Sequence, residues 1–229
     1  VHATRAYSLI LTDIGQIFTA SLNDPVRTGG GLCIAADEKG SIAFVGTMAD
    51  FATSEPGYET RFKKAVVSAG GRSVWPGLVD SHTHIVYAGT REEEFALKSR
   101  GATYADIAAA GGGILNSAAK TRAASADELY RDAKKRLLQV AAYGVTTVEI
   151  KSGYALDTAG ELKILEVIAR LKKESPIEIV PTFLGAHAYP AQFKNDHDGY
   201  LSLLCDEMLP EGARRRLAEF LPFFFPDGF

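Results

Sequence analysis

Two histidines separated by one residue, in Asp80-Ser81-His82-Thr83-His84, give the sharpest chemical signal in the sequence. On a strand, residues i and i+2 share a face with Cα atoms about 6.6 Å apart, close enough for both imidazoles to reach one metal ion. The competing reading is two unrelated polar residues in a loop. An apolar run and Pro76-Gly77 just upstream favour the metal pair. Lys151-Ser152-Gly153-Tyr154 and Gly185-Ala186-His187-Ala188-Tyr189 also follow strand-like runs. Three constellations then fall at the carboxyl ends of successive strands, where α/β enzymes build their sites. Taken singly, Tyr154 reads as a packing residue and His187 as a loop histidine, and the shared rim position makes both site candidates. Arg91 falls in the first turn of an expected helix, where a cation is out of place. A guanidinium there is suited to gripping a carboxylate through two hydrogen bonds. The glycines at 111–113 have neither GxGxxG nor the P-loop Lys-Ser/Thr pair, so they read as a connection near the rim. No GxSxG context supports a nucleophilic triad.

Two textures of chain must position these residues. Up to about Arg72, short apolar runs at 7–11, 15–21, 31–36 and 41–46 alternate with turn residues, and Asp37-Glu38-Lys39-Gly40 reads as a hairpin loop. From 73 onward, strands are expected at 74–80, 145–151 and 177–184. Thr90/Glu93, Ser125/Glu128 and Thr158/Glu161 have capping-box spacing and open three helices. Gly101 ends the first, a short helix follows Thr103, and Gly144 caps the Ser125 helix. A helical segment at 198–209 and a strand at 217–225, weakened by Pro222, complete the pattern. Alternating strand and helix indicates a parallel sheet with right-handed crossovers, as a barrel or a doubly wound sheet.

Composition narrows the function classes. The 229 residues hold 25 Lys+Arg against 28 Asp+Glu, a net charge of −3, which argues against a nucleic-acid partner. At 46% hydrophobic and 23% charged residues, the chain is a globular protein with a sizeable core. Cys33 and Cys205 lie far apart and outside any CxxC, so neither a disulfide framework nor a cysteine zinc site is expected, and a reducing cytoplasm is the default. The first twenty residues resemble neither a signal peptide nor a membrane span.

Longer segments extend the reading. Residues 76–84 continue into Ala88-Gly89-Thr90-Arg91-Glu92-Glu93-Glu94-Phe95-Ala96, Gly101-Ala102-Thr103-Tyr104 and Ala110-Gly111-Gly112-Gly113-Ile114. Gly144-Val145-Thr146-Thr147-Val148-Glu149, Lys151-Ser152-Gly153-Tyr154 and Pro181-Thr182-Phe183-Leu184-Gly185-Ala186-His187 follow. Together these resemble the metal-dependent amidohydrolase superfamily, and within it the members that open the ring amide of 4-imidazolone-5-propanoate to N-formimidoyl-L-glutamate in histidine degradation. The resemblance runs from about 74 to 210. It implies an incomplete (β/α)8 TIM-type barrel over 73–229 and a small β-sandwich portion over 1–72. It also implies one zinc or iron ion on His82 and His84, Arg91 on the propionate with Tyr104 assisting, and Tyr154 and His187 against the ring and its developing charge. A small-molecule substrate and a homodimer of the complete enzyme follow from the same likeness. The likeness fades at 221–226, and no segment matches the family's later His and Asp ligands. The stretch from 73 to 229 is also shorter than the about 250 residues of a typical barrel. The sequence therefore reads as a fragment, inactive on its own. The alternatives are another amidohydrolase acting on a cyclic amide or heterocyclic amine, which would have no use for Arg91, or a non-catalytic piece.

Overall fold

Where the sequence suggests separate strands at 7–11 and 15–21, the chain forms one, β1 (Tyr7–Phe18), in a computed structural model that describes residues 6–103, 106–107 and 112–221. Asp13 sits in the strand at φ +52°, and the register shifts on either side of Ile14, so the strand bends without ending. Gly15 allows the bend to pack: a Cβ there would meet the Gly71 carbonyl oxygen at 2.3 Å. β2 (Val26–Asp37) pairs antiparallel with β1 and turns into β3 (Ile42–Thr47). The turn is the expected one, with Gly40 at φ +80° and its N–H on the Asp37 carbonyl at 3.0 Å. β4 (Val66–Ser68) and β5 (Ser73–Val74) run parallel to β1, completing a five-stranded sheet. Helix α1 (Met48–Ser54), capped by the Thr47 hydroxyl, and the single turn α2 (Tyr58–Arg61) follow β3. Phe51 of α1 is fully buried with Tyr7, Ile10, Cys33 and Ala35. The expected sandwich portion is, among the described residues, this one mixed sheet with its helices. The chain divides into two units, Val1–Pro76 and Gly77–Phe229.

The run expected as one strand at 74–80 is therefore two, because Pro76 cannot donate to a ladder. β5 belongs to the first sheet, and β6 (Leu78–Thr83) opens the second. β6, β7 (Val145–Lys151) and β8 (Glu178–Thr182) pair in parallel, in chain order. Between β6 and β7 lie α3 (Glu92–Ser99), α4 (Ile114–Ala123) and α5 (Ala126–Ala142), and α6 (Thr158–Glu174) joins β7 to β8. Period-two alternation sends Val148, Ile150 and Ile179 to one face, where they are buried with Leu129, Ala133 and Leu137 of α5 and Leu165, Ile168 and Leu171 of α6. Each large apolar side chain buried there contributes about 1.5–3 kcal/mol. The alternate positions Glu149, Lys151 and Thr182 form a polar cluster on the other face: the Thr182 hydroxyl donates to Glu149 Oε1 at 2.6 Å, and Lys151 pairs with the same carboxylate.

After β8 come the 3₁₀ turns Gly185–His187 and Ala191–Phe193, then α7 (His197–Leu203). It continues through a π-helical stretch (Leu204–Met208) into α8 (Leu209–Arg214). The strand expected at 217–225 begins as a bridge between Phe220 and Thr182, and residues from 222 lie outside those described. Most of the short helix expected after Thr103 also falls outside them. No described helix is long and apolar enough to cross a membrane.

Candidate functional site

The carboxyl ends of β6, β7 and β8 bring the expected rings together. Thr83 turns toward β7, donating its hydroxyl to the Glu149 carbonyl at 2.6 Å, and alternation sends His82 and His84 the other way. Their ring centroids lie 5.7 Å apart. His84 packs between Tyr154 at 4.8 Å and His187 at 4.9 Å, its ring 22° from parallel with that of His187. Neither ring nitrogen of His84 makes a well-formed hydrogen bond, and His187 Nδ1 is also buried without a partner. Burial pulls the His84 pKa down to about 4, helped by neighbouring His187 and His82. His187 is lowered by burial too, with His82 and Arg91 adding to the effect. Burial pushes the Glu149 carboxyl up, but its bonds to Lys151 and Thr182 outweigh that and hold it below the usual range. Both histidines are thus neutral imidazoles at neutral pH.

Arg91 reaches the same place by another route. It occupies the N-cap of α3 with no side-chain capping bond, so the expected Thr90/Glu93 box does not form. Its Nε donates to Ser117 Oγ at 3.0 Å and lies 3.9 Å from Glu94, while its terminal nitrogens make no hydrogen bond to a described residue. A cavity of about 420 Å³ is lined by His84, Tyr87, Thr90, Arg91, Ser117 and Tyr154, within the size range of small-molecule sites. Tyr104 lies outside the described residues. Arg136 of α5 anchors the cavity wall by donating to the Ile85 and Tyr87 carbonyls at 2.9 and 3.1 Å, its guanidinium 3.7 Å above the Tyr87 ring.

Three contributors escaped the sequence reading. Ser117 and Thr121 are buried on α4, a helix whose inward face is small and polar, so no apolar stripe announces it. Glu161 is fully buried in α6, where the sequence reads it as the partner of a Thr158 cap. The N-cap is in fact Asp157, whose Oδ1 accepts from Gly160 N at 2.7 Å. Glu161 accepts instead from the backbone N–H groups of Gly153, Ala155 and Leu156 at 2.7, 2.8 and 2.8 Å. Its signal was available: it shares a helical stripe with Leu165 and Ile168, a place where a charge needs a reason.

His82 and His84 suit one side of a metal site. An imidazole buried without a well-formed hydrogen bond is costly, and a cation on one nitrogen relieves that cost. Among the described residues, no group of three or more His, Cys, Asp or Glu side chains is placed to hold an ion.

No protein-family model matches the chain. Curated relatives do. The imidazolonepropionase of Brevibacillus brevis is 47% identical over 229 residues, which is 99% of this chain and 53% of that protein. That of Alkaliphilus metalliredigens is 52% identical over 163 residues, 71% of this chain and 39% of that protein. The chain thus spans about half the length of the curated relatives it matches, or less. Among solved structures, 5-methylcytosine deaminase from Klebsiella pneumoniae aligns at TM-score 0.54 and 15% identity, covering 93% of this chain and 51% of that one. Guanine deaminase from C. acetobutylicum aligns at 0.52 and 14%, covering 96% and 47%. At this identity the two structures show a shared mixed α/β fold. Over the part of their length that it spans, the chain is homologous to the curated imidazolonepropionases.

Proposed function

We propose that this chain carries part of a metal-dependent hydrolase site that opens the ring amide of 4-imidazolone-5-propanoate, releasing N-formimidoyl-L-glutamate. The observation that carries the reading is the single cavity with Arg91 at one wall and His84 and Tyr154 at another, which suits a planar ring bearing a carboxylate arm. In this reading Arg91 grips the propionate through its two terminal nitrogens, held at the right angle by Ser117. Tyr154 packs against the ring, and His187 offers a neutral imidazole N–H to the oxygen on which charge develops. His82 and His84 would hold one zinc or iron ion, which when bound would supply Lewis acidity. Water adds to that carbonyl, the ring C–N bond breaks and the nitrogen leaves with a proton, with no change of oxidation state. The architecture we assign is a small sandwich portion over 1–72 followed in the chain by an incomplete (β/α)8 barrel over 73–229. The relatives' name and the chain-order parallel sheet support it.

Zinc titration of the 229-residue chain tests the metal assignment. Catalytic zinc characteristically has three protein ligands, and this reading supplies two, so uptake is expected to be weak and lost on dialysis. His84→Ala should abolish uptake, whereas His187→Asn should keep it. An assay of imidazolonepropionate loss by the chain alone should stay at background. Stoichiometric retained metal with clear turnover would overturn the two-ligand reading, and uptake lost with His187 would make that residue a ligand.

A further inference from the structure

We infer that Glu161 is a positioning residue that locks the Tyr154 loop and the His187 turn to each other, and so sets how the cavity meets a ring. The recognition half of this inference rests on the proposed function. The locking half rests on geometry alone.

A fully buried carboxylate in a helix otherwise packed with Leu and Ile needs an account. Here the account is a nest: Oε1 accepts from Ala155 and Leu156, and Oε2 from Gly153. Three converging amides define the path of the chain on both sides of Tyr154. Leu156 is held at φ +63°, a conformation costly for a residue with a branched side chain. The carboxylate acts beyond this loop. The Ser152 hydroxyl also bonds to Glu161, and Ser152 Oγ accepts from the Leu184 N–H at 3.0 Å. Leu184 opens the turn that carries His187. Gly153 closes the contact: it lies at φ +103°, and a Cβ there would meet the Leu184 carbonyl oxygen at 2.6 Å and His187 Cβ at 2.9 Å. Glu161, Ser152 and Leu184 therefore form one connected path between the two loops, whose rings stand 5.5 Å apart. From the far side, Tyr200 steadies the same turn by donating to the Gly185 carbonyl at 2.7 Å.

The test uses Glu161→Gln and Ser152→Ala in the whole 229-residue chain, read by amide hydrogen exchange and by calorimetry with imidazole-4-propionate, which cannot be hydrolysed. Gln keeps the size of Glu161 but presents an N–H₂ where an acceptor is needed. The Gly153, Ala155, Leu156 and Leu184 amides should then exchange at least tenfold faster, with the α5 amides unchanged. Imidazole-4-propionate should bind at least tenfold more weakly. Ser152→Ala cuts only the second half of the path: Leu184 should lose protection while Ala155 and Leu156 keep theirs, and binding should weaken at least threefold. A merely structural Glu161 predicts uniform loss across the unit, or loss confined to 153–156 with Leu184 untouched, and either pattern overturns the inference. If Glu161→Gln does not fold, Ser152→Ala decides by the same two readouts. Unchanged binding despite an unlocked Leu184 overturns the recognition half. No binding by the wild-type chain overturns the substrate reading together with that half, while the exchange pattern still decides the locking.

Discussion

The two units bury different chemistry. In the first, the buried side chains among the described residues are apolar: Ile10, Ile14, Ile17, Leu32 and Phe51 lead the set, and Cys33 behaves as a small hydrophobe whose thiol burial pushes up to about 11. In the second, Ser117, Thr121, Lys151, Ser152, Glu161 and Thr182 are buried as well. Each is bonded, as the about 1–3 kcal/mol cost of an unsatisfied buried polar group requires. Ser117 holds Arg91, Thr121 Oγ1 accepts from Ala88 N, Lys151 and Thr182 meet on Glu149, and Ser152 and Glu161 tie two loops. The exceptions are ring nitrogens of His84 and His187, which are buried without a well-formed hydrogen bond among the described residues. The contrast separates buried polar groups satisfied within the protein from ring nitrogens that, under the proposed function, would face a ligand.

Phe51→Ala should produce the largest effect and tests whether the contrast reflects independent units. Phe51 is fully buried, edge-on to Tyr7 and Tyr58 at 5.4 and 5.3 Å, so its truncation should cost about 3–5 kcal/mol. Trp75 is the sole tryptophan and stacks on Phe18, so its fluorescence in a urea titration reports on the first unit. The Trp75 transition should move to lower urea while imidazole-4-propionate affinity stays within twofold. Loss of both together would break the comparison.

Arg91→Ala is next. Removing a charged donor from a carboxylate should weaken imidazole-4-propionate binding by about 1.5–3 kcal/mol, toward the lower end because the side chain is 39% exposed. Ser117→Ala leaves the cation in place but frees its angle, and should cost about 0.5–1.5 kcal/mol. Arg91→Lys should resemble Arg91→Ala more than wild type, since a point charge cannot reproduce two parallel bonds. Equal affinity for all three would remove the carboxylate clamp.

Much of the second unit was legible because its signals are local. β7 and α5 follow the sequence reading, Ser125 forms its full capping box, and Gly144 at φ +88° ends the helix. The rim position of His84, Tyr154 and His187 was legible from strand order alone, and the structure gathers all three. What stayed hidden depends on contacts between distant residues. α4 has no apolar stripe because its buried face is Ser117, Ala118 and Thr121. Glu161 looked like a cap because the spacing of a capping box and that of a carboxylate facing a preceding loop are alike in sequence. β1 looked like two strands because Asp13 and Gly15 signal a turn, whereas pairing with β2, β4 and β5 carries the strand through.

The smallest effect separates a real cap from one of the same spelling. Ser125 and Glu128 each bond the other's backbone: Glu128 N–H donates to Ser125 Oγ at 3.2 Å, and Ser125 N–H donates to the Glu128 carboxylate at 2.8 Å. Thr90 and Glu93 have the same spacing, yet Arg91 takes the N-cap at φ −122°, ψ 28°, and no side chain caps α3. The difference follows from what each helix start must serve. α5 follows a simple turn, whereas the start of α3 is drawn toward the cavity by the Arg91–Ser117 bond and by Glu94, whose Oε1 accepts from Gly113 N at 2.8 Å. Ser125→Ala should therefore lower stability by about 1 kcal/mol, the usual worth of an N-cap hydroxyl. Thr90→Ala, which removes no capping bond, should stay within about 0.5 kcal/mol of wild type. Urea titrations followed by far-ultraviolet circular dichroism compare the two directly. Equal losses would mean that Thr90 caps α3 in solution, and that the start of this helix is set by local sequence and owes nothing to the site it serves.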